Sequence, residues 1–503
     1  MIKNIKWLFL VSLTFVACNN DDEATVEEVP VTAGTADFSK YVALGNSITA
    51  GYSDGALFKA GQLNAYPKLM ADQFALVGGG AFNIPMMNDN VGGIVGVPGV
   101  GPRLIFNGTS PVPLPGGVPT TPLLPALTGP FNNMGVPGAK SFHLLAPAYG
   151  NPAGLGVSAN PYFVRFASST STSILADAMM QQPTFFSLWI GNNDVLGYAT
   201  TGGDGTNPIT PTTGAPGVGF DGTYGALVTT LTSGGAKGVV ANIPYVSTIP
   251  FFKTVPFNPL TSKVLGGGDV PTGEATIDQL NALLYGPLKQ ALTAFGAGDR
   301  INVLSKTAGN PLLIKDETLT NLSAQLTAAF TPTLGAATAG FYGSVFGQAR
   351  QATSADLVLL TTQSAIGAAP PGAPAPLNKY GITYPLQDKH ILIPTEIAEI
   401  KDATDSYNVT IKAAADASGL AFVDANAVMN QLANGGIRFD NYHFTSQFVQ
   451  GGAFGLDGVH LTARANAYIA NKFLEAINAK YNSTFRMYKP QNFVISYPAG
   501  LPN

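Results

Sequence analysis

Short runs of apolar residues recur along the chain and alternate with longer helical patterns. The runs have the composition of β-strands and stand at YVALG (41–45), TFFSLWIG (184–191), GVVANIP (238–244), INVL (301–304), DLVLLT (356–361) and LAFVDA (420–425). Helical patterns lie at 274–297, 318–330, 394–417 and 461–480. Continuous apolar strands are buried on both faces, which is typical of a parallel sheet covered by helices. The alternation therefore predicts an α/β fold with a doubly wound, flavodoxin-like parallel sheet flanked by helices.

Three long stretches are interpreted as additions to that core. Residues 84–131 are rich in proline, glycine and aliphatic side chains, residues 200–222 form a Gly/Thr/Pro loop, and residues 256–385 mix helix with low-complexity segments. The 58 glycines and 37 prolines of the 503-residue chain favour such loops. Loops of this length either act as lids and binding walls or pack as inert insertions, and the sequence leaves both open. Residues 486–503 are predicted to form a C-terminal tail on the surface.

The N-terminal stretch MIKNIKWLFLVSLTFVAC has the form of a targeting signal. Two lysines precede an apolar run that is too short to span a bilayer. Residues 1–17 resemble a bacterial lipoprotein signal peptide, which implies lipidation of Cys18, the only cysteine. The alternative is an ordinary secretory signal with an incidental cysteine.

Residues 18–37 are strongly acidic and are predicted to form a flexible tether. They resemble the surface-export signals of Bacteroidetes-type lipoproteins, although a plain acidic linker explains them equally well. We therefore expect an outer-membrane lipoprotein of the cell envelope, and the sequence leaves open whether its body faces the cell surface or the periplasm.

Charge and residue usage exclude several classes of function. Without Lys3 and Lys6 of the signal, 24 basic side chains face 30 acidic ones, a charge of −6. This balance argues against nucleic acid or anionic headgroups as partners. The membrane is a predicted partner only through the lipid anchor at the N-terminus. With Cys18 as the only thiol, disulfides and cysteine catalysis are excluded. The four histidines include no pair at metal-ligand spacing, so no metal or other cofactor is predicted.

Two serines near the first strand are candidates for a nucleophile. Ser53 lies in GYSDG, which matches the G-x-S-x-G nucleophile elbow of the α/β hydrolases. An elbow follows its strand directly, however, and the strand YVALG ends at Gly45, so the sharp turn falls at Gly45-Asn46-Ser47. We therefore predict that Ser47 is the nucleophile and that GYSDG is a glycine-flanked loop or helical turn.

A serine nucleophile needs an imidazole to take its proton and a carboxylate to orient that imidazole. Of the four histidines, only His460 has a carboxylate at a suitable spacing, Asp457 in FGLDGVHLT, just ahead of a helical pattern. In a turn, the Asp457 carboxylate can accept a hydrogen bond from Nδ1 of His460 and leave Nε2 free for a serine. His143 and His443 are interpreted as structural or rim residues.

Four short motifs occur in order along the chain: GNS (45–47), NMGVPGA (133–139), GNND (191–194) and DGVH (457–460). With them the chain resembles the SGNH hydrolases, also called the GDSL family of esterases and lipases. The resemblance implies an SGNH hydrolase fold over residues 38–485, apart from the three insertions. It also implies that Ser47 is the nucleophile, His460 the general base and then acid, and Asp457 the orienting carboxylate.

The resemblance further implies an oxyanion hole made by the backbone N–H groups of Ser47 and Gly138 and the side-chain amide of Asn193. Gly138 is preferred to Gly135 because the later glycine fits the family's spacing from the asparagine at the strand end. One position departs from the family, since Asn46 stands where an aspartate is usual. Asparagine tolerates the same tight conformations, so we expect it to keep the turn.

These roles imply a carboxylic-ester hydrolase that forms an acyl-serine intermediate. Lipid-like acyl esters are the favoured substrates, because the apolar 84–131 insertion could line a hydrophobic groove. A carbohydrate O-acetyl esterase of the same fold is the close alternative. The other alternative is a surface glycan- or lipid-binding lipoprotein that has lost the chemistry, for which Asn46 is the only hint in the sequence.

Overall fold

The computed structural model describes residues 30–439 and 441–502. The predicted signal peptide, Cys18 and residues 18–29 of the predicted tether lie outside the described residues. The prediction of a flexible tether is wrong for residues 30–37, which pack against the end of the last helix. The Thr35 N–H donates to the Tyr481 carbonyl at 2.8 Å, and Ala36 is buried. In the part of the chain that is described, no helix has the length and apolar character needed to cross a bilayer.

A five-stranded parallel sheet forms the centre of the molecule. Its strands are β1 (Tyr41–Gly45), β2 (Asn133–Gly135), β3 (Phe185–Trp189), β4 (Lys237–Ala241) and β5 (Ala421–Val423). Their spatial order is β2-β1-β3-β4-β5. Both β1 and β3 are buried along their whole length, which agrees with their continuous apolar sequences. The predicted α/β class and parallel sheet are confirmed, and the strand order is compatible with a doubly wound fold.

The winding of the chain reverses between β1 and β3. After β1 the chain passes to β2 at one edge of the sheet, and it then returns past β1 to build β3, β4 and β5 on the other side. In open α/β sheets, ligands bind outside the carboxyl ends of the strands at such a switch point. Gly45 and Trp189, the last residues of β1 and β3, are partners in the register. The segments that follow these two strands therefore meet at the switch point.

Helices flank the sheet. Those around it are Ser47–Ala50, Lys59–Leu63, Tyr66–Ala75, Pro161–Val164, Ile174–Met179, Asn192–Thr200, Phe220–Thr232, Pro394–Ala417, Ala425–Ala433 and Ala463–Tyr481. The first of the two longest begins at a proline, whose missing N–H is not needed in the first turn. Tyr66 stacks on Phe473 with 4.7 Å between ring centroids, which joins an early helix to the last one. The helices predicted at 394–417 and 461–480 are thus present.

Residues 256–385 supply most of two further apolar cores. Their helices are Ser262–Leu265, Val270–Leu280, Gly286–Ala294, Ser323–Leu334 and Ala336–Phe346, with a π-helical turn at Asn281–Tyr285. The prediction of a strand at 301–304 is wrong. A side chain forms the hydrogen bonds with the backbone of this segment that a neighbouring strand would otherwise form. Oδ1 of Asn281 accepts from the Leu304 N–H at 2.7 Å, and its Nδ2 donates to the Leu304 carbonyl at 2.9 Å.

The strand predicted at 356–361 is present only as Leu357–Val358, which lies outside the central sheet and pairs antiparallel with Ile391–Leu392. Conversely, β2 was not among the predicted runs, and Asn133 begins this strand instead of ending one. Three further two-stranded sheets join Leu104–Phe106 to Pro111–Pro113, Leu313–Lys315 to Ala349–Gln351, and Ile437–Phe439 to Tyr442–Phe444.

The C-terminal tail is anchored in the protein by the 84–131 insertion. Arg103 is fully buried, and its guanidinium donates to the Pro498 carbonyl at 2.6 Å and to the Tyr497 carbonyl at 3.3 Å. The neighbouring Leu104 N–H donates to the Asp54 carbonyl at 2.7 Å. The insertion therefore packs between the tail and the loop that follows β1.

Candidate active site

Ser47 lies directly after β1, at the first residue of the short helix Ser47–Ala50. Gly45 allows the chain to turn closely here, because a Cβ on it would stand 2.1 Å from Oγ1 of Thr49 and 2.6 Å from the Trp189 carbonyl oxygen. Only 8% of Ser47 is exposed, so its hydroxyl lies in a sheltered position at the carboxyl edge of the sheet.

Asn46, the residue that departs from the SGNH pattern, caps this helix. Its Oδ1 accepts from the Ile48 N–H at 3.2 Å. Its Nδ2 donates to Oδ1 of Asn192 at 3.2 Å, which joins the loop after β1 to the loop after β3. The asparagine therefore keeps the turn.

His460 bridges the serine and the acid. Its Nε2 lies 2.8 Å from Oγ of Ser47, and its Nδ1 lies 2.8 Å from Oδ2 of Asp457. The acid and the histidine lie in the turn before the helix Ala463–Tyr481. The structure thus brings together three residues from opposite ends of the sequence, and it does so with the ring orientation that the spacing of Asp457 and His460 predicts.

Four donors hold the Asp457 carboxylate. Oδ1 accepts from the N–H groups of Val459 at 2.9 Å and His460 at 2.8 Å, and Oδ2 accepts from the Gly55 N–H at 2.8 Å besides the His460 ring. Burial alone would raise the pKa of this carboxyl, but the adjacent His460 and the backbone donors hold the pKa well below its usual range. Asp457 is therefore ionised at neutral pH, where it can orient the ring and stabilise an imidazolium.

Ser53 has a structural role. It is 3% exposed, and its Oγ donates to the Leu461 carbonyl at 3.0 Å. Its N–H and carbonyl pair with Ala56 across a tight turn. The match of GYSDG to a nucleophile elbow is thus a property of a glycine-flanked loop, as predicted.

The rest of GYSDG supports the turn that carries the acid and the histidine, a role that was not predicted from the sequence. The Tyr52 ring packs against the His460 ring with 4.6 Å between centroids. Oδ1 of Asp54 accepts from the Leu456 N–H at 2.7 Å, and the Gly55 N–H is one of the donors to the acid. The closeness of GYSDG to the nucleophile motif was the one signal that could have indicated this support.

The predicted oxyanion donors belong to loops that are tied to one another. Nδ2 of Asn193 donates to the Ala139 carbonyl at 2.9 Å, and this bond uses one of the two hydrogens on that nitrogen. Gly138, the neighbour of Ala139, has a φ of +82°, which favours glycine. The N–H of Ser47 lies in the first turn of its helix, where backbone donors have no partner within the helix.

The Gly138 and Asn193 loops are also joined through Asp194. Its carboxylate accepts from the Ser141 N–H at 2.8 Å and from the Ser141 hydroxyl at 2.6 Å. Burial raises the pKa of Asp194, and these two donors act against that effect. The buried pair therefore fixes the second motif against the third.

An apolar pocket lies beside Ser47 and His460, and its volume of about 910 Å³ includes the open space at its mouth. One end, the candidate catalytic end, is formed by Asn46, Ser47, Asn192, Asn193 and His460. Aliphatic and aromatic side chains from segments 189–196, 244–249, 425–437 and 444–469 form the remainder. Among the described residues that line it, none comes from 84–131. The expectation that this insertion walls a hydrophobic groove is therefore wrong for this pocket.

Trp189 contributes to the floor of the pocket as a core residue. It is 3% exposed, and its Nε1 donates to the Asn242 carbonyl at 3.0 Å. With its polar atom bonded inside the protein, it presents only an apolar surface to the pocket.

Two of the other histidines have partners that fix them in the scaffold. Nδ1 of His143 accepts from the Lys140 N–H at 3.0 Å, its ring stacks on Tyr149, and burial lowers its pKa to about 4. Nε2 of His443 lies 2.8 Å from the Gly435 carbonyl oxygen. Both fit a structural interpretation.

One acidic cluster has the donor atoms that a cation requires. Carboxylate oxygens of Glu317, Asp388 and Glu396 lie within 4.8 Å of one another. Burial raises the pKa of Glu396 to about 8 and that of Asp388 to about 6. A protonated Glu396 can donate to Asp388, which relieves the repulsion between the two carboxyl groups without a cation.

Comparison with known proteins identifies no relative of this chain. No protein-family model, curated protein or solved structure matches it.

Proposed function

We propose that the protein is a carboxylic-ester hydrolase of the SGNH type. The observation that carries this proposal is the hydrogen-bonded series from Asp457 through His460 to Ser47, with both links at 2.8 Å. It stands at the switch point of a parallel sheet, next to an apolar pocket. A nucleophile, a base and an orienting acid within hydrogen-bond reach are what acyl transfer requires.

The reaction proceeds through an acyl-serine intermediate. Oγ of Ser47 attacks the ester carbonyl carbon while Nε2 of His460 takes its proton. The bond to the alcohol then breaks, and His460 gives the proton to the leaving oxygen. Water attacks the acyl-serine in the second step with His460 again as base, which releases the carboxylic acid and restores the serine hydroxyl. Asp457 stays ionised throughout and stabilises the imidazolium.

The negative charge that develops on the carbonyl oxygen needs nearby donors. We assign this role to the N–H groups of Ser47 and Gly138 and to the second hydrogen on Nδ2 of Asn193. Its bond to the Ala139 carbonyl holds the Asn193 amide in one orientation, so that no reorganisation is needed during the reaction.

Acyl esters of lipid-like character are the substrate class that the pocket supports best. Beyond its catalytic end the pocket is walled by aliphatic and aromatic side chains, which suit a hydrocarbon chain better than the hydroxyl groups of an acetylated sugar. A protein that only binds lipids or glycans has no need of an acid held ionised beside a histidine. Lipidation at Cys18 would attach the enzyme to the outer membrane, and this too remains a proposal.

Ester hydrolysis by purified variants tests the proposal. We expect wild type to hydrolyse p-nitrophenyl butyrate and Ser47→Ala to lose at least about 10³-fold in kcat, because the acyl intermediate cannot form. Ser344→Ala is the matched control, since Ser344 is an exposed residue of the insertion helix Ala336–Phe346. Equal activity in Ser47→Ala and the control would refute the proposal.

A further inference from the structure

We propose that the apolar pocket beside Ser47, called here the acyl pocket, binds an extended acyl chain of about ten to twelve carbons. A chain of this length spans the distance across four neighbouring strands, which is three strand spacings. The inference deepens the proposed function and rests on it. It assigns the specificity for chain length to Met429 and Leu432, on the helix after β5, which lies three strands from β1 and Ser47 in the sheet order.

The acyl pocket follows the carboxyl edge of the sheet away from the nucleophile. Its walls contain Ile48 after β1, Leu196 after β3 and Ile249 after β4. Met429 and Leu432 belong to the helix Ala425–Ala433, which follows β5. Because the strands stand in the order β1-β3-β4-β5, the pocket crosses three strand spacings.

This course sets the length of chain that fits. Neighbouring strands lie about 4.8 Å apart, so three spacings amount to about 14 Å. An extended hydrocarbon advances about 1.25 Å per carbon for bonds of about 1.5 Å, so about ten to twelve carbons span that distance. An acetyl group would leave most of the pocket without contacts.

Two polar groups of the wall are bonded within the protein. The hydroxyl of Tyr245, whose ring lines the pocket, donates to Asp405 on the flanking helix Pro394–Ala417. The indole N–H of Trp189 is likewise bonded to the backbone. These two side chains therefore offer the ligand an aromatic surface without requiring polar partners from it.

The two-step reaction indicates which part of the ester lies in the pocket. The acyl group stays on Ser47 until water releases it, whereas the alcohol must leave between the two steps. A pocket enclosed by helices suits the group that stays, and an open mouth suits the group that leaves. The acyl chain is therefore the occupant.

Hydrolysis of p-nitrophenyl esters from acetyl to hexadecanoyl tests this assignment. We expect kcat/KM to rise about fourfold for each added methylene, which is ~0.8 kcal/mol, up to about ten to twelve carbons and then to level off. A series of alkyl acetates should show no such rise. A preference for acetyl, a flat acyl series or a rise that follows the alcohol chain instead would overturn the proposal.

Blocking the far end of the pocket tests the residues. Leu432→Trp and Met429→Trp should each lower the ratio of dodecanoyl to acetyl kcat/KM by about 60-fold if three methylenes are excluded, at about fourfold each. Val409→Trp is the matched control, because Val409 is 71% exposed on the helix Pro394–Ala417 and does not line the pocket. An unchanged ratio in both pocket variants would overturn the assignment.

Direct binding separates this inference from the proposed function and does not depend on the folding of the tryptophan variants. Ser47→Ala should bind dodecanoate more tightly than butyrate by isothermal titration calorimetry, and equal binding of the two would overturn the acyl pocket. Tighter binding of dodecanoate without any ester hydrolysis by wild type would refute the proposed hydrolase function but support the assignment of the acyl pocket. Ester hydrolysis with a rate that is independent of acyl-chain length would support the hydrolase function and refute the assignment of the acyl pocket.

Discussion

The hydrogen bond between Asp457 and His460 fixes which ring nitrogen faces the serine. In Asp457→Asn an amide replaces the carboxylate, so the imidazole loses its preferred tautomer and its charge partner. We expect kcat/KM for ester hydrolysis to fall by about 10³- to 10⁴-fold. Asp72→Asn is the control, since Asp72 forms an exposed ion pair with Lys68. Comparable activity in the two variants would contradict the role of Asp457.

Asp54 makes stability depend on pH in the opposite sense to most carboxyl groups. Burial raises the pKa of Asp54 to about 6, with the nearby Asp457 adding to the effect and Arg103 and His460 opposing it. Between about pH 4 and 6 the native state therefore binds more protons than the unfolded state, and stability falls as the pH rises.

We predict that Asp54→Asn removes this dependence while it keeps an acceptor for the Leu456 N–H. The free energy of unfolding of wild type relative to the variant should drop by roughly 2 to 3 kcal/mol between pH 4 and pH 7.5. Urea titrations at several pH values measure it. Parallel pH profiles for the two proteins would show that the Asp54 pKa is not raised.

At the scale of elements, the turn after β3 positions Asn193. Gly191 has a φ of +119°, and a Cβ on it would stand 2.3 Å from Cδ1 of Ile243. We predict that Gly191→Ala lowers the free energy of unfolding by about 2 to 4 kcal/mol and also lowers kcat. Gly197→Ala in the helix Asn192–Thr200 should stabilise by about 0.5 to 1 kcal/mol, because no atom lies within 4 Å of the added Cβ. Thermal and urea unfolding measure the stability of both variants. Equal changes in their free energies of unfolding would show that the turn at Gly191 does not require glycine.

Four of the five central strands could be predicted because their apolar runs match the burial of a parallel strand. β2 could not, since Asn133–Gly135 is short and contains an asparagine and a glycine. It is a strand only because it pairs in parallel with β1, and the local sequence does not encode that pairing. The strand predicted at 301–304 was wrong for a related reason, because Asn281 satisfies the backbone of an apolar segment from a distance in sequence.

The three central residues of the candidate site could be predicted from the sequence, whereas the residues that support them could not. Ser47, Asp457 and His460 stand in short motifs whose chemistry is local, so the sequence could pair the acid with the base. The support by Tyr52 and Gly55 arises from contacts between segments some 400 residues apart, as does the course of the pocket. Such contacts depend on the tertiary fold and leave no periodic pattern in the sequence.

At the scale of the whole molecule, Arg103 links the 84–131 insertion to the C-terminal tail. Ending the chain at Lys489 would remove the carbonyls of Tyr497, Pro498 and Ala499 and leave the Arg103 guanidinium without three of its acceptors. We predict that this truncation lowers the free energy of unfolding by about 2 to 3 kcal/mol or more. Arg103→Met combined with the truncation should cost less than the sum of the two separate changes. Strict additivity in urea titrations would show that the two are not coupled.

The central claim is that Ser47 attacks the substrate with a hydroxyl activated by His460. Labelling of the intact, folded protein with a fluorophosphonate, followed by peptide mapping, tests it most directly because the probe reports only an activated serine. The account predicts one adduct, on Ser47, that is absent from Ser47→Ala and strongly reduced in His460→Ala. An adduct on Ser53, or a folded protein that takes up no label, would contradict it.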